Sequence, residues 1–406
     1  MTSVIASRAS VANAPGRDGR WLANPELGVY IHIPFCLHRC HYCDFNTYEG
    51  LEDLFEPYVD ALVADIARWP ATASEMGRAY TGPVSSVFFG GGTPTLLPAR
   101  ALGRVLGALA DVVGISAGAE VTIEANPETI SDSYLTDLLD HGFNRISIGV
   151  QSLRPGVLRA LGRTHGPERA LDAVSAARRA GFCDLNVDLI FGSPWESDDD
   201  WTATLEAILR AGPDHVSAYA LTVEEGTPLH TLVRTGRIAD VDGDVQARRY
   251  ELACEVLEQG GYRRYEVSNW AKPGRASAHN VLYWSAGDYL GFGAGAHAHL
   301  AGRRWWSHRL PRAYISSAVS GATTEAGHEL LDEDTRAGEA LMLGLRLVDG
   351  LDLEGFATRF GEAALVQRQE VIASLQDAGV LEVAGGRLRL VADRTLIANE
   401  ALCRLL

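Results

Sequence analysis

Three cysteines in the N-terminal part of the chain have the type and spacing of a metal-cluster site. Cys36, Cys40 and Cys43 form a C-x3-C-x2-C pattern directly after the apolar run 29–33. Three thiolates this close together can hold three iron corners of a [4Fe–4S] cluster, which normally takes four cysteines. No fourth cysteine follows within ten residues, so one iron would be open to an outside ligand. The alternative is structural zinc, which usually takes four ligands in two pairs, and the sequence has no second pair.

Several other residues that could contact a ligand stand at the ends of apolar, β-rich runs. Gly90-Gly91-Gly92-Thr93 follows one such run, and consecutive glycines let a backbone approach a ligand without a Cβ clash, although the loop could also be a simple tight turn. Glu124 and Gln151 follow the next two runs, and Asp188 lies within a later one. A carboxylate in a buried strand needs a partner, and Arg163 is available either for Asp188 or for the carboxylate of a ligand.

The spacing of apolar residues predicts the elements that would bring these side chains together. Six β-rich runs alternate with helix-length connections, which is typical of parallel βαβ units. The predicted strands are 29–33, 86–89, 120–124, 145–150, 185–190 and 215–221, and the predicted helices are 102–113, 133–141, 167–180 and 198–211. Six strands are too few for a closed eight-stranded barrel. The predicted fold class is therefore α/β, an open, partial (β/α)6 barrel with its site at the carboxyl ends of the strands.

The chain as a whole divides into four predicted segments. Residues 1–25 are expected to be a flexible arm, 26–265 the barrel core, and 266–330 a loop-rich segment packed on the barrel. Residues 331–406 are expected to form a C-terminal, mainly helical domain, in which helices precede a β-hairpin over 380–390 as in a winged helix. The helical stretch before this hairpin carries a single arginine beside acidic residues, so a structural or protein-contact role is favoured over DNA binding.

The composition limits the partners and the location that can be expected. The 406 residues carry a net charge of −16, from 36 basic and 52 acidic side chains, which disfavours nucleic acid as a partner. No apolar run approaches the roughly 18–20 residues that span a bilayer. Cys183, Cys254 and Cys403 are scattered singly, which suits buried free thiols in a reducing compartment. We therefore expect a cytoplasmic protein with no transmembrane segment of its own.

The order of the motifs carries a family resemblance. Three cluster cysteines with one open iron are typical of radical S-adenosylmethionine (SAM) proteins, and the chain resembles that family. The motifs G-G-G-T-P-T, I-E-A-N-P, G-V-Q-S and D-L-I-F-G, in this order, resemble the branch that contains oxygen-independent coproporphyrinogen III dehydrogenases (HemN) and haem chaperones. The resemblance runs from about Gly28 to the C-terminus and implies a C-terminal domain of the HemN type. It also implies a cluster on the three cysteines and a SAM site formed by Tyr30, Tyr42, Gly91, Gly92, Thr93, Glu124, Gln151, Arg163, Asp188 and Thr222.

Two features separate the members of this branch. The dehydrogenases carry a further cysteine two residues past the third, where this chain has Phe45. The chain also has His279-Asn280-Val281-Leu282-Tyr283-Trp284, which resembles the H-N-x-x-Y-W motif of the HemW family of haem chaperones. Imidazole is a common ligand of haem iron, and Tyr and Trp offer flat surfaces to a porphyrin. The resemblance implies a haem site at His279, Asn280, Tyr283 and Trp284, whereas from chemistry alone His279 could equally pack a loop against the barrel.

Three functions are compatible with these motifs. The resemblance favours a haem chaperone that carries a cluster and SAM and passes haem, by docking, to an acceptor haem protein at the membrane. The alternative is a coproporphyrinogen dehydrogenase, in which a SAM-derived radical would start the oxidative decarboxylation of a propionate side chain, and Phe45 counts against it. A radical SAM enzyme with another substrate is the third. The sequence identifies no catalytic residue, and the glycine-rich stretch 291–297 is expected to serve backbone packing rather than dinucleotide binding.

Overall fold

A parallel sheet wrapped by helices forms the centre of the computed structural model, which describes residues 15–76 and 83–406. Its central strands pair in chain order, each parallel to the next. These strands are β1 (Gly28–Ile33), β2 (Val84–Gly91), β3 (Ile115–Ala125), β4 (Arg145–Gln151), β5 (Leu185–Phe191) and β6 (His215–Ala220). The helices around them are α1 (Phe55–Glu75), α2 (Ala99–Val112), α3 (Asp132–Asp140), α4 (Pro155–Ala160), α5 (Pro167–Ala180), α6 (Asp198–Ala211), α7 (Pro228–Arg234) and α8 (Gly243–Gln259). The predicted partial (β/α)6 barrel is confirmed.

The boundaries of these elements follow from local chemistry. Helix α6 begins at Ser197, whose hydroxyl accepts from the Asp200 N–H at 3.1 Å, while the Asp200 carboxylate accepts from the Ser197 N–H at the same distance. This reciprocal capping satisfies two N–H groups that the helix itself leaves free. The helix ends at Gly212, whose φ of +68° is accessible to glycine at little cost. Strand β1 is held by apolar side chains that are buried beneath α1.

Further strands extend this sheet beyond both edges of the barrel. Strand β9 (Tyr289–Phe292) pairs in parallel with β1, and β10 (His297–Leu300), β11 (Arg303–Ser307) and β12 (Glu325–Leu330) follow in antiparallel order. At the other edge β8 (Asn269–Ala271) pairs with β6, and β7 (Arg263–Arg264) pairs with β8. The prediction of a loop-rich segment over 266–330 is therefore wrong, since this segment also contains α9 (Ala278–Trp284) and α10 (Pro311–Ser320). Its strands are short; β8 and β9 pair with the barrel edges, and β10 to β12 continue the sheet outward from β9.

The glycine-rich stretch 291–297 packs backbone against backbone, as expected from the sequence. A Cβ at Gly291 would clash with the carbonyl oxygen of His297 on the neighbouring strand. Gly293 has a φ of +109°, and a Cβ there would lie 2.5 Å from the carbonyl oxygen of His32. The glycines thus let β9 and β10 approach each other and the end of β1.

The C-terminal part has a separate hydrophobic core and consists mainly of helices. Its elements are α11 (Glu333–Gly344), β13 (Leu351–Asp352), α12 (Leu353–Phe360), α13 (Glu362–Gln367), α14 (Gln369–Asp377), β14 (Leu381–Ala384), β15 (Arg387–Leu390) and α15 (Ala398–Leu402). The predicted hairpin is present as β14 and β15, which turn at Gly385 and Gly386 with φ of +58° and +76°. The helical stretch that was predicted before this hairpin is divided at Arg368 into α13 and α14. The buried Arg368 guanidinium donates to the Leu405 carbonyl at 2.7 Å.

The N-terminal residues differ from the expectation of a flexible arm over 1–25. Residues 1–14 lie outside the described residues, but 15–25 pack against the rest of the protein. Arg17 is only 3% exposed and pairs with Glu120 on β3 at 2.7 Å and with Asp184 just before β5. Trp21 joins the core of the C-terminal part. This packing could not be predicted from the sequence because the carboxylates that bind Arg17 lie more than a hundred residues away.

Two predictions about the chain as a whole can also be compared with the fold. The lone cysteines were expected to be buried, but Cys183 and Cys403 are exposed and only Cys254 is partly buried. Cys183 follows the end of α5 and Cys403 follows α15, whereas Cys254 lies within α8 and packs against the core. In the described part of the chain, no helix is both long enough and apolar enough to cross a membrane.

Candidate functional site

A cavity of about 380 Å³ lies at the carboxyl ends of the barrel strands. Its walls come from the loop after β1, the glycine loop after β2 and the ends of β3 to β6. The three cysteines of the first loop line it. Nine of the ten residues predicted to form a SAM site line it as well: Tyr42, Gly91, Gly92, Thr93, Glu124, Gln151, Arg163, Asp188 and Thr222. The fold therefore brings together residues that are spread over nearly two hundred positions of the sequence.

Each of two cysteines has a polar neighbour on another element. The Arg163 Nη1 lies 3.3 Å from the Cys40 Sγ, and the Thr93 hydroxyl lies 3.9 Å from the Cys36 Sγ. Burial raises the pKa of Cys36 to about 11 and shifts that of Cys43 in the same direction. Iron coordination requires thiolates, so loading a cluster here would release protons.

The donor set of this loop fits a [4Fe–4S] cluster. All three cysteines are free thiols that face one cavity, and a guanidinium stands beside one sulfur. Among the described residues, no three His, Cys, Asp or Glu side chains converge on one point that could hold a single metal ion. A cubane does not require such convergence, because each thiolate binds a different iron corner. A cluster bound here would supply an open iron for a ligand in the cavity.

The glycine loop holds the cysteine loop in place. The Gly92 N–H donates to the Ile33 carbonyl at 2.8 Å and the Thr93 N–H to the Phe35 carbonyl at 2.7 Å. A Cβ on Gly92 would lie 2.5 Å from the Phe35 oxygen, and one on Gly91 would clash with His32. Gly91 also has a φ of +114°, which side chains rarely adopt. The glycines are thus required for loop-to-loop packing, while their backbone lines the cavity.

Two carboxyl groups face the cavity from neighbouring parts of the barrel. Burial and the charge of Asp188 raise the pKa of Glu124 to about 8, although the Gly91 N–H donates to Glu124 Oε2 at 3.0 Å. Burial also raises the pKa of Asp188, whose oxygens accept from Ser147 at 2.7 Å and Asn186 at 2.8 Å. Such a pair can accept hydrogen bonds from an ammonium group or from ribose hydroxyls.

Gln151 reaches the cavity from a strained position. Its φ of +65° lies in the left-handed region, and the pairing of β4 with β5 shifts register between Gly149 and Gln151. A β-bulge of this kind redirects a side chain at the end of a strand. Backbone strain in a non-glycine residue is a frequent property of functional sites. The strain therefore agrees with the predicted placement of Gln151 in a ligand site.

Sequence reasoning missed several residues of this cavity, among them Asn126 and Ser147. Asn126 lines it and contacts both Thr93 and Arg163. Its signal was its position directly after the strand end, within the motif I-E-A-N-P. Ser147 also lines it and donates to Asp188. Its signal was the two-residue period of a strand, since it lies on β4 two and four positions before Gly149 and Gln151.

Tyr30 does not line the cavity formed by the described residues. Its hydroxyl contacts His32 Nδ1 at 3.0 Å, and its ring stacks on Phe88 inside the barrel. Any contribution of Tyr30 to the predicted SAM site would therefore be indirect, through β1, the strand that carries the cysteine loop.

The predicted haem residues lie on α9, at the opposite end of the barrel. His279 Nδ1 contacts the Ser86 hydroxyl at 2.9 Å near the start of β2, and the imidazole stacks on Phe88. His279 is 1% exposed, and burial lowers its pKa to about 4. Its Nε2 has no hydrogen-bond partner among the described residues.

Of the other three residues of this motif, Tyr283 contacts His279, and Asn280 and Trp284 contact neighbouring elements. The Tyr283 ring meets the His279 ring edge to face, with centroids 4.6 Å apart. Asn280 donates to the Tyr265 hydroxyl at 3.4 Å, and the Arg346 guanidinium lies over the Trp284 ring at 5.4 Å. The motif therefore closes the amino-terminal end of the barrel and is not part of the cysteine cavity.

Comparison with known proteins places the chain in a family. Residues 30–240 match the radical SAM superfamily, and residues 331–391 match the HemN C-terminal domain. The haem chaperone HemW of Mycobacterium tuberculosis is 40% identical over 380 residues, covering 94% of this chain and 95% of the relative. The chain belongs to the HemW family of radical SAM proteins. HemW of Bacillus subtilis is 33% identical over 374 residues, covering 92% and 97% of the two chains.

Two further comparisons extend this placement. The mitochondrial radical SAM domain-containing protein 1 of Danio rerio is 35% identical over 379 residues, covering 91% of this chain and 83% of the relative. Coproporphyrinogen III oxidase (HemN) of Escherichia coli superposes with a TM-score of 0.78 at 22% identity, covering 96% of this chain and 92% of the other. The last comparison establishes a shared fold between this HemW-family chain and HemN.

Proposed function

We propose that this chain is a haem chaperone, which holds a [4Fe–4S] cluster and SAM in the barrel, binds haem and passes it to an acceptor haem protein. The observation that carries the proposal is the similarity to HemW haem chaperones over more than nine-tenths of both chains. Phe45 supports it, because this position holds cysteine in the dehydrogenases that the chain also resembles.

The cluster and SAM would occupy the cysteine cavity. Cys36, Cys40 and Cys43 would bind three irons, and the open iron would take SAM. The Glu124 and Asp188 carboxyl groups would accept hydrogen bonds from the SAM ammonium group or ribose, with the remaining cavity residues around them. The location of these groups at the carboxyl ends of parallel strands supports this assignment. Cluster and SAM would serve haem transfer or its regulation.

Haem would be bound through the α9 motif. His279 supplies an imidazole whose Nε2 makes no hydrogen bond within the described residues, and Tyr283 supplies a flat ring beside it. Trp284 supplies a second flat ring on the same helix. Because His279 is buried against β2, haem iron can reach Nε2 only if α9 moves away from the barrel. Haem binding at this site would therefore be coupled to opening of α9.

The acceptor would be a membrane-associated haem protein that the chaperone reaches by docking from the cytoplasm. The acidic surface, with a net charge of −16, favours a protein partner over nucleic acid.

The test uses anaerobically reconstituted protein with SAM and a reductant. One sample receives haem and is followed by Soret absorption, comparing the wild type with His279→Ala. His328→Ala is the matched control, because His328 is an exposed histidine on edge strand β12. The other sample receives coproporphyrinogen III and is assayed for a divinyl product.

A haem spectrum that His279→Ala reduces and His328→Ala preserves, without product, supports the chaperone with haem at α9. A spectrum that both variants preserve would keep the chaperone and refute the α9 site. Steady formation of product would instead identify a dehydrogenase. The absence of both haem binding and turnover would favour a radical SAM enzyme with another substrate.

A further inference from the structure

Arg163 contacts a predicted cluster cysteine and is held in position by two other groups. Its Nη1 lies 3.3 Å from the Cys40 Sγ. Its Nη2 donates to the Asn126 Oδ1 at 2.6 Å and to the Gly149 carbonyl at 2.9 Å. The guanidinium is therefore directed at the sulfur by Asn126, which directly follows β3, and by Gly149 on β4.

Asn126 links this arginine to the second cysteine. While its Oδ1 accepts from Arg163, its Nδ2 donates to the Thr93 hydroxyl at 3.1 Å, and that hydroxyl lies 3.9 Å from the Cys36 Sγ. An amide is suited to this position because it carries a donor and an acceptor on one planar group. One side chain thus orients the polar neighbours of two cluster cysteines.

A charged hydrogen-bond donor beside a cluster sulfur raises the reduction potential of the cluster more than a neutral donor does. Reduction adds negative charge to the cluster, and hydrogen bonds to its sulfurs stabilise that charge and raise the reduction potential. Arg163 carries a permanent positive charge, whereas Thr93 and Thr47, the neighbours of Cys36 and Cys43, are neutral. The Arg39 charge also acts on Cys43, but among the described residues the Cys40 sulfur is the one with a charged hydrogen-bond donor.

We propose that Arg163 sets the reduction potential of the cluster through its hydrogen bond to Cys40, and that Asn126 is the positioning residue that holds it there. This inference rests on the proposed cluster site and deepens it. The resemblance places Arg163 in the SAM site. In the structure both of its terminal nitrogens are directed to protein groups, and only Nε has no partner among the described residues. Protein groups use three of the five guanidinium N–H groups, which leaves two for a ligand.

The test is an equilibrium redox titration of the reconstituted protein, followed by the EPR signal of the reduced cluster and normalised to iron content. The variants are Arg163→Met, Asn126→Ala and their combination. Asn144→Ala is the matched control, because the Asn144 amide also donates and accepts, at 2.8 Å in both cases, but to the backbone of β3 away from the cavity.

At the potential where half of the wild-type cluster is reduced, we expect the ratio of reduced to oxidised cluster to fall about tenfold in Arg163→Met. Asn126→Ala should change the ratio in the same direction by less, and the double variant should match Arg163→Met. Asn144→Ala should behave as the wild type. If Arg163→Met does not retain iron, Arg163→Lys carries the same expectation with a smaller change, because an ammonium group cannot reach all three acceptors at once.

An unchanged ratio in an Arg163 variant with full iron would overturn the proposal. A wild-type ratio in Asn126→Ala, beside a changed one in Arg163→Met, would overturn the positioning role. An equal change in Asn144→Ala would attribute the effect to general loosening and would also overturn it. A wild-type protein that binds no cluster at all would refute the proposed cofactor site instead, so the two failures are distinguishable.

Discussion

Replacing Glu124 by glutamine should stabilise the SAM-free protein, and the gain should grow as the pH rises. Burial and the neighbouring Asp188 charge raise the pKa of Glu124 to about 8, so the folded protein holds a proton there at neutral pH. Above that value the carboxylate is charged, and no described residue supplies it with a cationic partner. Glutamine keeps an acceptor for the Gly91 N–H and carries no charge.

The magnitude follows from the two pKa values. In the unfolded chain Glu124 titrates near its ordinary value of 4.5, so between pH 4.5 and about 8 only the folded state binds the proton. The stability that the protonated carboxyl contributes is complete below the unfolded pKa and is lost as the pH rises through the folded pKa. At about 1.4 kcal/mol per pH unit, the ceiling is about 5 kcal/mol. Because Glu124 lines an open cavity, where water stabilises charge, we expect about 2 kcal/mol.

The assay is urea unfolding of cluster-free, SAM-free protein at pH 5, 6.5 and 8.5, followed by circular dichroism. The matched control is Glu128→Gln. Burial alone would raise the pKa of Glu128, but hydrogen bonds from His165 and Thr164 lower it to about 2. The stability from Glu128 is present above its unfolded pKa and lost on acidification, so Glu128→Gln should weaken the protein at neutral pH. A difference between Glu124→Gln and the wild type that is the same at pH 5 and 8.5, or shrinks with pH, would refute the reasoning.

Three further predictions concern the cluster loop, the N-terminal residues and the strained strand end. Changing any one of Cys36, Cys40 or Cys43 to alanine should abolish the iron content and brown colour of reconstituted protein. The exposed Cys183→Ala is the control and should keep both. Full iron in all three cluster variants would contradict the cluster assignment. Arg17→Met removes one of the two buried cations beside Glu120 and Asp184, with Arg145 remaining, and should cost about 3 kcal/mol in urea unfolding. The exposed Arg20→Met should cost nothing measurable, and equal midpoints for the two variants would count against the ion pairs. Gln151→Gly should relieve the left-handed backbone strain and so raise the free energy of unfolding by about 1 kcal/mol. The same variant should bind SAM more weakly in calorimetry, and an unchanged affinity would show that Gln151 is not part of the SAM site.

The barrel and the cluster loop could be predicted from the sequence alone. Strands β1 to β6 and their helices have strong apolar periodicity, which reports on each element without knowledge of its neighbours. The C-x3-C-x2-C pattern is equally local, since a single short loop carries all three thiols. Parallel strands end at one edge of a sheet, so Glu124, Gln151 and Asp188 could be expected to meet there, and they line one cavity.

The positions of long-range partners could not be predicted without the folded structure. The strands beyond β1 are short and are defined by pairing with sheet neighbours, of which only β9 adjoins the barrel, so the stretch after residue 266 could be taken for loops. Arg17 is ordered by carboxylates that are distant in sequence. The same holds for His279, which local chemistry presents as a free ligand but which α9 buries against β2. Arg163 could have met a ligand or a carboxylate, and it is directed at Cys40 because Asn126 and Gly149 hold its other nitrogen. In each case the deciding contact joins residues whose spacing along the chain carries no periodic signal.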